Sequence, residues 1–311
     1  MNMESTHIQK ARLYITSLGL YEAEINGKRV GDHVLAPGFQ PFKHRHVYDT
    51  YDVTEAVLRG RNAIDPLIAD GWYASGLFGH TEKGEFGNLY GDRIGAMEIY
   101  DSRKESVIKG WSTASFDNGD WLSVEELPPL TAALVPSDGP PVRKLTELQP
   151  KEILQTVSGK VIVDFGQNFA GCARITVSGP SDTSIILRHA EVLENGEIGT
   201  KSPRTADPTD RFILNGTCPQ VWEPRFTFHG FRYVKTSNWP VNHTPLEPEA
   251  ITDIAVWSDM NEQGGLNSLT NSWTNFTATS CGLYKTILFI FPLTARSVMD
   301  AWVGLTMPTF S

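Results

Sequence analysis

The strongest constraint on this 311-residue chain is the run of short β-rich stretches between residues 159 and 259, each closed by a turn signal. GKVIVDFGQNFAGCARITVSG reads as a strand, a Gly-punctuated turn and a second strand. TSIILRHAEVL, DRFILNG, RFTFHGFRYVKTSNW and ITDIAVWSD follow, with Phe226, Phe228 and Tyr233 carrying part of the alternation. Many short strands without a helical period predict an antiparallel sandwich. The front of the chain repeats the theme. ARLYITSLGLYEAEING alternates and breaks at Asn26-Gly27, a strong hairpin signal, and Pro37-Gly38 marks another turn. VYDTYDVTEAVL reads as a strand and then a short helix closed by Gly60. In WSTASFDNGDW, Trp111, Phe116 and Trp121 are expected to cap a sandwich core around an Asp-Asn-Gly turn.

Prolines 128, 129, 136, 140, 141 and 150 supply no ladder donors and place a domain boundary near residue 145. With 40% hydrophobic and 20% charged residues the chain can pack a core. A net charge of -9 argues against nucleic acid, whose phosphates ask for clustered Lys and Arg. Cys172, Cys218 and Cys281 are too few and too far apart for a disulfide framework or a zinc ribbon. No run approaches the roughly 20 apolar residues of a membrane span, and the opening MNMESTHIQKARLY has no apolar leader, so the cytoplasm is the default expectation.

Taken in order, LYEAEINGKRVGDHVLAPG, YDTYDVT, DGWY, NLYGDR, DFGQNFAGCARITVSGP, RHAEVLENGEI and WEPRFTFHGFRYV resemble the bacterial and fungal α-L-rhamnosidases, glycoside hydrolases. The resemblance covers about residues 10–260. It implies a mainly β chain of two antiparallel sandwiches. A jelly-roll-like module would occupy residues 10–145 and a concanavalin-like one residues 148–258. In the family a helical (α/α)6 barrel carrying the active site comes next, and this chain has no counterpart of it. Intact members hydrolyse terminal α-L-rhamnose from glycosides, so the chain is expected to be inactive alone. The alternative is a rhamnose-binding sandwich protein. The sequence departs from the family pattern where IGAM joins EIYDSRKE at Met97–Glu98; strands amounting to roughly 30 residues are absent there.

A second departure begins after Gly265. Reading the last base of each codon with the first two of the next lets residues 281–305 spell the opening of the family's barrel, including IPT and DCPQR. Residues 266–311 are therefore expected to be a frameshifted tail. In the shifted frame the codon spanning Met299 and Asp300 can encode only Gly where the family carries a catalytic Glu.

Glycoside hydrolysis needs two facing carboxyl groups, and no acid here matches the family's catalytic positions. Asp164, Glu191, Glu223 and Asp259 read as turn, strand-end or ion-pair residues. His189 and His229 read as structural, with nothing pairing them at ligand spacing, and Gly166, Gly171 and Gly230 as turns or bulges. DFGQN lacks every other kinase element. The candidate sugar contacts are Asp70, Trp72, Tyr73, Asn88, Tyr90, Asp92 and Arg93, aromatic faces set among polar groups. Some family members carry a calcium-dependent rhamnose-binding module in this region. Calcium would need several converging oxygens, and no other cofactor is expected. The expected partner is a rhamnose-containing glycoside or polysaccharide, with neither nucleic acid nor membrane; the oligomeric state is open.

Overall fold

A computed structural model of the chain describes residues 2–3, 8–42, 44–74, 98–129, 131–199 and 208–260. The junction at Met97–Glu98 borders this set, and the tail after Gly265 lies outside it. The front region contains β1 (Asn2–Met3), β2 (Arg12–Ile15), β3 (Leu20–Ile25), β4 (Lys28–Arg29), β5 (Arg45–Asp52), β6 (Gly60–Arg61), β7 (Ile64–Ala69) and the single helical turn α1 (Gly71–Ala74). The remainder runs β8 (Ile99–Asp101), β9 (Ala133–Pro136), β10 (Val142–Leu148), β11 (Glu152–Gln155), β12 (Val161–Val177), β13 (Ser184–Ala190), β14 (Leu193–Glu194), β15 (Glu197–Ile198), β16 (Thr209–Ile213), β17 (Gln220–Trp222), β18 (His229–Ser237) and β19 (Ile251–Ser258).

In the first sandwich, β4-β3-β7 faces β2-β5-β9. The hairpin at Asn26-Gly27 joins β3 to β4. Both residues have positive φ, 52° and 79°, as a turn matching the strand twist requires. Tyr21, Ala23, Ile25, Tyr51, Val53 and Val57 form the core. The helix expected after YDTYD is a turn instead: Ala56 and Val57 both donate to the Val53 carbonyl, and the chain then opens toward Gly60.

The second sandwich is one nine-stranded sheet, β10-β19-β12-β18-β13-β16-β8, with β11 and β17 also on β12. Its pivot is the 17-residue β12. The register against β18 shifts between Asp164 and Phe169. Gly166 there has φ +83°, and its N–H donates to the Asp164 carboxylate at 2.6 Å. Before the bulge β12 pairs β11; beyond it, β19 and β17. A strand that changes neighbours across a bulge bends the sheet over itself. The enclosed core holds Val163, Phe165, Phe169, Ile175, Ile185, Leu187, Phe212, Phe231, Val234 and Ile251.

Several expectations are corrected. The pairing is antiparallel as expected except at two short edge strands, β8 on β16 and β9 on β5, which join in parallel. Trp111, Phe116 and Trp121 belong to none of the core clusters: Trp111 and Phe116 are half-buried, and Phe116 meets the exposed Trp121 edge to face at 5.4 Å. Gly171 is neither turn nor bulge but mid-strand, where an added Cβ would lie 2.3 Å from the Ile254 carbonyl oxygen. Gly166 is the bulge glycine.

A third cluster joins the two sandwiches. Leu20, Val34 and Leu35 from the first meet Ala170 and Val256 from the second, with Trp72, Val142, Phe226 and Phe228 around them. Burying an aliphatic side chain of this size is worth roughly 1.5–3 kcal/mol, so the seam is a substantial part of the fold. Among the described residues, no helix is long and apolar enough to cross a membrane.

Candidate functional site

The sugar-contact set divides. Asn88, Tyr90, Asp92 and Arg93 lie outside the described residues. Asp70, Trp72 and Tyr73 follow β7 at the seam. Gly71 has φ +55°, and a Cβ there would lie 2.6 Å from Leu20 Cγ, so only glycine lets this turn settle on Leu20. Trp72 and Tyr73 are half-buried with aromatic neighbours: Trp72 lies 6.5 Å from the rings of both Phe39 and Phe228, and Tyr73 5.2 Å from that of Phe42. Asp70 is exposed.

The seam also holds charge. Glu22, its side chain 2% exposed, faces Arg29 at 3.0 Å, and Arg225 Nε donates to it at 2.6 Å. Glu98 accepts the backbone N–H groups of Arg225 and Phe226, and burial raises its pKa above the usual carboxylate range. Asp164 forms a two-pronged pair with Arg232, Glu223 pairs with Lys144 and Arg174, and Asp259 with Arg143.

His189 and His229, read as separate in the sequence, are brought together by the folded sheet. Their rings stack with centroids 4.2 Å apart and 23° between planes. His229 Nε2 lies 2.9 Å from Asp210 Oδ2 and His189 Nδ1 4.0 Å from it, and all three residues are buried. The backbone N–H of Glu98 supplies the carboxylate's other oxygen. Burial, with the neighbouring His229, pushes His189 down to about 3, so it is neutral. Burial opposes the Asp210 charge, but the adjacent His229 outweighs it and holds the carboxyl below its ordinary range.

Among the described residues these three form the group with ligand atoms close enough for a metal, all within 4.8 Å. The geometry is that of a hydrogen-bonded stack instead. A metal lies in the plane of each imidazole that binds it, and two nearly parallel stacked rings cannot both aim at one ion. His189 Nδ1 also sits 3.2 Å from the Pro208 carbonyl oxygen, as a donor would. The calcium expectation concerned the first sandwich, where four of the candidate residues are outside the described set.

The stack has a consequence for acid stability. Between about pH 6.5 and 3 the unfolded chain binds a proton at His189 that the fold refuses, so stability falls as pH falls through this window, by about 4–5 kcal/mol in all. Asp210 adds to the loss in the same direction. Urea midpoints at pH 7 and pH 4.5 should show the drop, and His189→Gln should reduce it.

Asp253 was not singled out by the sequence reading. It is fully buried on the core side of β19; neither carboxylate oxygen has a well-formed hydrogen bond, and the Ile254 backbone N–H offsets the burial only in part. Burial raises its pKa to about 9. The signal was available: Asp253 alternates with the core residues Ile251 and Ala255, as Asp210 does with Phe212 and Leu214.

An open cleft of about 590 Å³ lies on the first sandwich, lined by Lys10, Arg29, Gly31, Asp52, Thr54 and Glu55 among others. Asp52 accepts from the Thr54 hydroxyl and N–H at 2.6 and 3.0 Å, which lowers its pKa. A glycosidase proton donor needs the opposite shift.

Residues 6–97 match the family profile described as the α-L-rhamnosidase N-terminal domain, and residues 154–257 that of the bacterial α-L-rhamnosidase concanavalin-like domain. An α-L-rhamnosidase of Streptomyces avermitilis is 39% identical over 269 residues, 75% of this chain and 26% of the relative. One from Formosa agariphila is 31% identical over 297 residues, 85% of this chain and 32% of the relative. The crystal structure of the Aspergillus terreus α-L-rhamnosidase superposes with a TM-score of 0.80 at 40% identity, over 87% of this chain and 35% of that one. The S. avermitilis α-L-rhamnosidase complexed with L-rhamnose gives 0.83 at 32% identity, over 92% and 30%. The chain thus spans between a quarter and a third of the length of these curated relatives. It belongs to the α-L-rhamnosidase family, of which it carries the N-terminal and concanavalin-like β-sandwich domains.

Proposed function

We propose that these two sandwiches act as the non-catalytic front portion of an enzyme that removes terminal α-L-rhamnose from glycosides, and that they hydrolyse nothing by themselves. The single observation carrying this reading is the state of the acids: among the described residues, each buried carboxylate is either committed to a structural partner or, like Asp253, sealed in the core. Glu22, Asp164 and Glu223 are ion-paired, Glu98 accepts backbone donors and Asp210 serves the histidine stack. Hydrolysis requires a raised-pKa acid and a second carboxylate facing one bond in an accessible cleft, and the cleft offers Asp52, its pKa shifted the wrong way, and the exposed Glu55. The natural partner on this reading is a rhamnose-containing glycoside, positioned for a catalytic domain carried elsewhere.

The test is the purified chain with a chromogenic aryl α-L-rhamnoside. The expected rate equals the buffer blank at every protein concentration. Turnover rising in proportion to protein would overturn the reading.

A further inference from the structure

We propose that the outward face of β13, β16 and β18 is a binding surface for a carboxylated polysaccharide, held by Arg188, Arg211 and Lys235. The choice of a saccharide as the occupant rests on the glycan-directed function proposed above. Arg188 lies directly opposite Lys235, and Arg211 is opposite Ile186, one diagonal step from Arg188. These residues share the outer face, because the alternate positions Ile185, Leu187, Phe212 and Thr236 are buried on the inner one. Their Cβ atoms on adjacent strands therefore stand about 5–8 Å apart.

The arrangement is costly without an anion. Like charges directly opposite one another weaken a sheet. The three are partly exposed, and none has a carboxylate at ion-pair distance among the described residues, while the buried Nε–H groups of Arg188 and Arg211 have no acceptor. Lys235 feels the repulsion: burial, Arg188 and Lys160 lower its pKa and together outweigh the opposing Glu197. The nearby acids are engaged elsewhere, Asp164 by Arg232 and Glu197 by Ser158 and Lys160. Composition does not force such a cluster on a chain with 36 acidic and 27 basic residues.

Protection of a sheet edge does not explain it either. Edge strands carry Lys to discourage pairing, but β13 and β18 each have strands on both sides. What the face offers is a flat row of donors in which the Arg forks match carboxylates. Tyr233, two residues from Lys235 on the same face, lies beside them with the Arg232 guanidinium over its ring at 4.9 Å. A flat row suits a polymer bearing repeated carboxylates better than a compact ligand, which would need a pocket.

Calorimetry of the full chain with polygalacturonate at low ionic strength tests the proposal, with neutral dextran and poly-L-glutamate as comparisons and the Arg188→Ala/Arg211→Ala/Lys235→Ala variant alongside. Expected are binding of polygalacturonate, no binding of dextran, at least a tenfold loss in the variant, and a variant Tm equal to or above that of the parent, since repulsion is relieved. Equal binding by parent and variant, or no binding at all, would overturn it. Preference for poly-L-glutamate over polygalacturonate would overturn the saccharide assignment. Turnover of the aryl rhamnoside by the same preparation would instead sink the non-catalytic reading, and it leaves this surface to be decided by the binding data.

Discussion

Asp253→Asn should make the chain more stable at pH 8, by about 2–4 kcal/mol. The sign follows from the raised pKa. The unfolded carboxyl titrates near 4 and the folded one at about 9. Between those values the fold holds a proton that the unfolded chain has released. Stability therefore falls as pH rises through that window. Asparagine keeps the shape and removes the titration; its amide still lacks partners, so the gain stays below the full linkage value. Asp253→Val removes the polar group altogether and, being β-branched, suits β19. Urea unfolding at pH 5 and pH 8.5 provides the measurement. The parent should lose stability between the two pH values, and both variants should lose much less. Equal slopes in parent and variants would show that Asp253 is ionised in the fold. With His189 weakening the fold at low pH and Asp253 at high pH, the parent should be most stable in between.

Arg225→Ala should cost about 2–4 kcal/mol and loosen the two sandwiches from each other. Glu22 belongs to β3 of the first sandwich and Arg225 to the loop before β18 of the second, and the carboxylate is almost completely enclosed. Removing one partner of a buried pair leaves a desolvated charge, which is worse than never having formed the pair. Arg29 remains within reach at 3.0 Å and limits the damage. In scanning calorimetry the parent should melt in one transition, because the seam carries both this pair and the apolar cluster around Leu20, Leu35 and Val256. The variant should show an earlier or divided transition. Glu22→Gln in the Arg225→Ala background should recover part of the loss, since no charge is then stranded. An unchanged single transition in Arg225→Ala would mean that the apolar cluster alone couples the domains.

Strands and turns were legible from local chemistry. Alternation in DRFILNG marks a half-buried strand, the apolar run in ITDIAVWSD marks a more fully buried one, and Asn-Gly tolerates the positive φ of a tight hairpin. These are properties of a few neighbouring residues, and no distant contact is needed to read them. The ordered family motifs likewise pointed to two sandwiches, and the structure and its relatives agree. Alternation also says which side of a strand a residue takes. It does not say what stands across from it. That is why the sequence left Trp72 open between a core aromatic and a sugar contact, while the structure shows which rings stand near it, those of Phe39 and Phe228. His189, Asp210 and His229 lie on three strands, and their meeting depends on the bend that the Gly166 bulge puts into β12 and on the way β18 follows it. The loneliness of Asp253, the enclosure of Glu22 and the row of Arg188, Arg211 and Lys235 depend in the same way on strand order and register. Side and spacing are set along the chain, but a partner is set by the packing of strands far apart in sequence, and there tertiary structure alone decides.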